Sequence, residues 1–290
     1  MADSETQVIR SPAFRYHGGK FRLAPWVLAN FPPHQVYVEP FGGAVGVLLQ
    51  KARSHGEVYN DLDGDVVNFF RVVRDTAMRA QLAEACVLTP YARIEFESAW
   101  EPTEDPVERA RRLLVRAQMG FGSAGATKGA TGLRIDANRR YGTAQQLWAE
   151  FPAGLAAVSR CFVGVLIEQR PAIEVMAQHD AAETLHYVDP PYPHSTRVMQ
   201  NGKAGYYRHE IWDFDHHCLI DTLRSLRGAV VVSGYPSDLY DHGLRDWLRR
   251  DTSARISAGR GAGRRTECLW LNPAAAAQLR QPRLAFGGVE

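Results

Sequence analysis

The sequence predicts an α/β fold: a mostly parallel sheet covered by helices and interrupted by an inserted module. Three observations carry this. The stretch "HQVYVEPFGGAVGVLLQKA" reads as strand, turn and helix, and "EVYND" followed by "LDGDVVNFFRVVRDTAMRAQLAEA" repeats strand and helix. Residues from about 75 to 160 break that rhythm. From Val163 it resumes with "VGVLIE", "PAIEVMAQ" and "LHYVD". A chain of 290 residues holds one large domain, or a core domain with a smaller insertion.

Each element has its own local reason. Val36–Glu39 is short, apolar and β-prone; Pro40 and the Gly42-Gly43 pair then force a turn. Small and apolar residues over 44–51 predict a helix facing the sheet. Asp61 ends the second strand, and Val66, Val67, Phe69, Phe70, Val72 and Val73 form the apolar stripe of one helix running on from residue 62. "VERARRLLVRAQMGF" has a helical period. Residues 120–132, "GFGSAGATKGATG", are too rich in glycine, alanine and threonine to pack a core, and predict a mobile basic loop that orders on a partner. Further on, "DHHCLIDTLRSLRG" predicts a helix, "AVVVSGY" a strand, "SDLYDHGLRDWLRR" a helix and "ECLWLNP" a closing strand. The expected division is a flexible arm over 1–12, a discontinuous core over 13–75 and 160–272, an insertion over 76–159, and a peripheral tail over 273–290.

Composition narrows the class. The chain is 45% hydrophobic and 23% charged, ordinary for a globular protein, with a net charge of only +2. Local clustering matters more than that sum. Arginines group at 111, 112 and 116, at 139 and 140, at 249 and 250, and at 260, 264 and 265. Each group reads equally well as a solvated face. The four cysteines lie far apart without a CxxC pair, which suits free thiols in a reducing cytoplasm better than a disulfide framework or a zinc site. No apolar run is long enough for a membrane span, and the polar start lacks a signal-peptide core.

Chemistry concentrates in four motifs. "YVDPPY" ends an apolar run, residues 185–188, in an acid and two prolines. The prolines forbid a helix, so a strand stops at Asp189 and presents a carboxylate where open α/β sheets bind ligands. "VEPFGG" lets backbone approach a ligand. Asp61 has the position of a carboxylate that bonds ribose hydroxyls, but the Gly-x-Gly-x-x-Gly cradle for a pyrophosphate is absent, which favours a nucleoside ligand without phosphates. "FRYHGGK" has Gly-Gly-Lys without the rest of a P-loop; Lys20, with Tyr16 packed beside it, would suit a carboxylate.

The order "YHGGK", "VEPFGG", "ND", an insert and "DPPY" resembles the Dam-type DNA adenine-N6 methyltransferases. The resemblance spans roughly residues 11–75 and 160–272. "HSTR", "YYRHE", "SGYPSDLYD" and "TECLWLNP" look like phage and prophage members. It implies a Rossmann-like sheet that binds S-adenosylmethionine, with a mainly helical target-recognition insertion. It assigns Tyr16, Lys20, Asp61 and Asp189 to the cofactor, with Glu39, Phe41 and Gly42 in the turn beside it. Asp189 and the Pro190 carbonyl would accept the two hydrogens of an adenine amine, and Tyr192 would stack on the flipped base. Tyr207 and His209 would help to enclose that base or to hold the strand. Lys128, Arg134, Arg139 and Arg140 are the expected contacts to double-stranded DNA. No metal, membrane or obligatory protein partner is expected, and His216, His217 and His242 read as core or surface histidines. The "RYN"-type hairpin associated with GATC is only loosely echoed by "ANRRYG", so no target sequence is carried over. The same aspartate chemistry would serve a cytosine or RNA amine, and a non-catalytic DNA-binding module on this fold is the alternative of another class.

Overall fold

The computed structural model describes residues 9, 11–122, 124–127, 131–135, 142–196, 209, 213–258 and 261–280 of the 290-residue chain. Seven strands form one sheet: β1 (Val36–Glu39), β2 (Gly56–Asn60), β3 (Leu166–Glu168), β4 (Thr184–Val188), β5 (Ala229–Gly234), β6 (Leu248–Ala258) and β7 (Gly261–Leu271). Their order is β3-β2-β1-β4-β5-β7-β6. The first five are parallel, with Val38 beside both Val58 and His186, and Tyr187 beside Val231. β7 joins β5 antiparallel, pairing Trp270 with Val232, and β6 is its hairpin partner. β1 leads outward to β2 on one side, while β4 leads to β5 on the other. The crevice at the carboxyl ends of β1 and β4 is therefore the switch point of the sheet.

Packing explains the elements. β4 and β5 are buried along their whole length, as strands covered on both faces must be, and both are apolar-rich. α1 (Ala24–Leu28) starts at a proline in its first turn. α2 (Gly64–Arg74) buries Val66, Phe69, Phe70 and Val73, and Phe70 stacks on Phe162 with ring centres 4.3 Å apart. α3 (Thr76–Leu88), α4 (Arg93–Ser98), α5 (Pro106–Met119), α6 (Ala144–Glu150) and α7 (Leu155–Cys161) follow. Leu82, Leu113, Leu114 and Trp148 from these helices lie in the same hydrophobic cluster as Tyr37, Tyr59 and Tyr187 of the sheet. α2 and α5 are locked by charge: Asp65 accepts from Arg109 Nε at 2.6 Å and from Arg116 Nη2 at 2.7 Å. α8 (Ala172–Gln178), α9 (Asp213–Ser225) and α10 (Asp238–Gly243) complete the layers.

Several expected elements differ. The helix expected over 44–51 is only a 3-10 turn at Leu48–Gln50. Gly43 at φ +47° and Val45 at φ +52° are left-handed, which breaks helical propagation, and a β-branched residue there is strained. The long helix expected after Asp61 is two, because Asp75 is extended and caps α3 by accepting from the Met78 amide. The expected helix through Arg250 stops at Gly243, and Leu248 already begins β6, paired with Leu271. The tail is not wholly peripheral: α11 (Pro273–Arg280) buries Ala275, and Asn272 ties its start to β5 by accepting from the Val230 amide at 3.0 Å and donating to Gly228 O at 2.9 Å. The described part of the glycine-rich stretch packs rather than floats. Ala126 is fully buried, and Arg15 donates to Gly120 O at 3.3 Å and to Gly122 O at 2.6 Å.

Candidate active site

A cavity of about 350 Å³ opens at the switch point. Its walls include Tyr16, Lys20, Glu39, Phe41, Gly42, Asp61 and Asp189, seven residues that the sequence motifs singled out. They arrive from four places: the loop before α1 and the carboxyl ends of β1, β2 and β4. Close backbone approach holds the group together. A Cβ at Gly46 would lie 2.5 Å from the Phe21 amide nitrogen, so only glycine lets the Lys20–Phe21 backbone cross there. The Tyr16 ring lies directly against Gly43.

Asp61 hangs from backbone donors, the Gly43 amide at 2.9 Å and the Asp63 amide at 2.8 Å. Burial at the foot of the cleft pushes its carboxyl up to about 6, against the opposing pull of those amides. Glu39 is nine-tenths buried or more, and Tyr37 OH donates to it at 2.9 Å. Burial is the main reason that its carboxyl is pushed up to about 8, with the charge of Asp189 adding to it.

Asp189 is held by two side chains. Lys20 Nζ sits 2.8 Å from its Oδ1 and 3.0 Å from its Oδ2, and Ser233 Oγ donates to Oδ1 at 2.7 Å. Ser233 also meets Tyr187 OH at 3.2 Å. Lys20 was expected to seek a carboxylate of a bound ligand; in the structure its carboxylate is Asp189. Pro190 and Tyr192 are buried and do not line the cavity. The Tyr192 ring stands behind Lys20, 4.8 Å from the ammonium, with the edge of Tyr235 against it at 4.6 Å between centres.

Other expected residues fall elsewhere. Arg134 is only 3% exposed, and its carbonyl accepts from Tyr91 OH at 2.6 Å, so it lies inside the helical layer and not on a DNA-facing surface. Lys128, Arg139, Arg140 and Tyr207 lie outside the described residues. His209 lines the cavity. His216 is a core histidine, with its Nδ1 2.9 Å from Tyr240 OH, while His217 and His242 are exposed.

Sequence reasoning missed four contributors. Leu62 and Ile173 are exposed large apolar side chains that line the cavity, and only folding brings them together. Ser233 reads in sequence as one more position of an apolar strand. Glu267 left a clearer signal, as the single acid beside the apolar run "CLWL" of β7. It accepts from Tyr192 OH and lies 3.6 Å from Lys20 Nζ. Among the described residues no group of acids, histidines and cysteines could hold a metal ion.

Comparison with known proteins adds a similarity over one segment of the chain. Residues 16–93 match the model described as D12 class N6 adenine-specific DNA methyltransferase. No curated protein matches the chain. Among solved structures, a precorrin 8W decarboxylase of Methanobacterium thermoautotrophicum is similar at 10% identity, over 87% of this chain and 88% of that one, with a TM-score of 0.35. The matched segment begins at Tyr16 and runs through the Glu39–Gly43 turn and Asp61, the same residues that wall the cavity, and over that segment the chain is similar to the D12 class of N6 adenine-specific DNA methyltransferases.

Proposed function

We propose that the chain transfers a methyl group from S-adenosylmethionine to the exocyclic N6 of an adenine flipped out of duplex DNA. The observation that carries this reading is Asp189, held at the carboxyl end of β4 in the same cavity as Glu39 and Asp61. The cavity volume is in the range of small-molecule sites. The chemistry of its donor set also fits the methyl donor. The Asp61 oxygens retain acceptor capacity for ribose hydroxyls. Phe41, Leu62 and Ile173 offer apolar surface to a purine. Glu39 and Tyr16 supply polar groups for the amino-acid end, while Lys20, which also lines the cavity, is engaged by Asp189.

S-adenosylmethionine supplies a methyl on a sulfonium, so no covalent enzyme intermediate is required. The protein's task is the amine. Adenine N6 is a poor nucleophile because its lone pair is delocalised into the ring. Asp189 and the Pro190 carbonyl accept its two hydrogens, localise the lone pair and stabilise the positive charge that develops on nitrogen. Two buried prolines hold these acceptors rigidly, so orientation costs little at the moment of reaction. The insertion, residues 76–159, reads the duplex, with Lys128, Arg139 and Arg140 as proposed DNA contacts.

The test is direct. The purified protein is incubated with S-adenosylmethionine and plasmid from a methylation-deficient host, and the DNA is digested to nucleosides for mass spectrometry. N6-methyladenine is expected from the wild type and none from Asp189→Ala. Methylated cytosine would keep the mechanism and change the base. Cofactor binding without any methylated DNA base would point to an RNA amine.

A further inference from the structure

We propose that Glu267 is a positioning residue that takes over Lys20 when Asp189 turns to the target amine. This rests on the role given to Asp189 above. In the structure as it stands, Asp189 is not ready to accept a hydrogen from a base. Lys20 Nζ spans both of its oxygens, at 2.8 and 3.0 Å, and Ser233 fills a further position on Oδ1 at 2.7 Å. An ammonium held there also opposes the positive charge that grows on the nucleophile. Lys20 must therefore move or loosen for the acceptor to work; it keeps its hydrogen bond to Gly18 O at 2.9 Å, but that oxygen is neutral, and a buried ammonium is costly without a counter-charge.

Glu267 provides that partner. Its Oε1 lies 3.6 Å from Lys20 Nζ, so a shift of the ammonium by about 1 Å exchanges one charge-assisted contact for another of ordinary length. Both side chains are almost wholly buried, at 6% and 4% exposed, so the exchange takes place away from bulk water, where it matters most. The same Oε1 accepts from Tyr192 OH, and the Tyr192 ring lies under the ammonium. The tyrosine therefore forms a fixed floor along which Lys20 slides. Among the described residues, Lys20, Asp189, Tyr187, Tyr192 and Tyr235 are charged or titratable groups that interact with Glu267. Burial holds its carboxyl above the ordinary range, with Lys20 as the strongest opposing influence.

Glu267→Gln separates charge from shape. The amide oxygen still receives Tyr192 OH, but the counter-charge for Lys20 is gone. At saturating DNA and S-adenosylmethionine we expect kcat to fall on the order of tenfold to hundredfold, as for other residues that orient a reacting group from behind, with both KM values within about threefold. Glu267→Asp, which keeps the charge, should restore part of that kcat. In a Lys20→Met background the Gln substitution should cost nothing further, because no ammonium remains to be moved. A Gln variant with wild-type kcat, or losses that add fully in the Lys20→Met background, would overturn the proposal. Asp189→Ala is measured alongside. If it too keeps turning over, the failure is that of the catalytic reading beneath; if it is dead while Glu267→Gln is fully active, only the role of Glu267 falls.

Discussion

Asp61 and Glu39 are carboxyl groups whose burial raises their pKa, and the two shifts have different consequences. Burial pushes the Asp61 carboxyl up to about 6, and in the proposed cofactor role only its ionised form is a full acceptor for ribose hydroxyls. Affinity for S-adenosylmethionine should therefore be flat above that pH and weaken by up to about tenfold per pH unit below it. Calorimetric titrations between pH 5 and 8 would check this, and Asp61→Asn should be weaker and lose the pH dependence. For Glu39, at about 8, the folded state holds the proton more tightly than the unfolded chain does. The stability it contributes is fully present below the unfolded carboxyl pKa and is lost as pH rises through 8. Glu39→Gln keeps an acceptor for Tyr37 OH and removes the titration. We expect it to gain on the order of 1 kcal/mol at pH 8, about 2 °C in Tm, and nothing at pH 4. A melting series across pH reads the sign directly.

At the scale of elements, two junctions carry the site. Gly46 lets the loop bearing Lys20 cross the β1 turn, and a methyl there meets backbone at 2.5 Å. Gly46→Ala should cost about 1–3 kcal/mol and lower cofactor affinity together with stability, because the loop must lift and carry Lys20 with it. The second junction is α2 against α5. Removing Asp65 leaves Arg116, 5% exposed, without its carboxylate. Asp65→Ala should cost about 3–5 kcal/mol in urea unfolding, whereas Arg109, more exposed and paired to the same acid, should cost under about 1 kcal/mol when replaced by alanine. The helix that fails to form over 44–51 belongs here too. Its composition is helical, but the left-handed backbone at Gly43 and Val45 serves the cavity turn, and the tertiary demand overrides local propensity.

For the molecule as a whole, the near-neutral net charge means that the DNA binding proposed above must come from local basic groups. Replacing Arg139 and Arg140 with alanine should weaken DNA binding and lower the slope of log affinity against log salt by up to about 2, close to one for each phosphate no longer neutralised. An unchanged slope with altered sequence choice would make them base readers instead. The helices between β2 and β3 share one hydrophobic cluster with the sheet. A destabilising change in either is therefore expected to appear in a single unfolding transition.

By itself the sequence predicted the mostly parallel sheet and the strand that ends at Asp189, because prolines, glycines and short apolar strands act through neighbours along the chain, and the resemblance of its motifs singled out Tyr16, Lys20, Glu39, Phe41, Gly42 and Asp61, which wall the cavity. The tertiary structure alone decided what those groups touch. That Lys20 pairs with Asp189, that Glu267 from β7 stands next to them, that Leu62 and Ile173 line one cleft and that Arg134 is buried all depend on the meeting of residues far apart in sequence. Strand order and burial set such meetings, and local periodicity does not encode them.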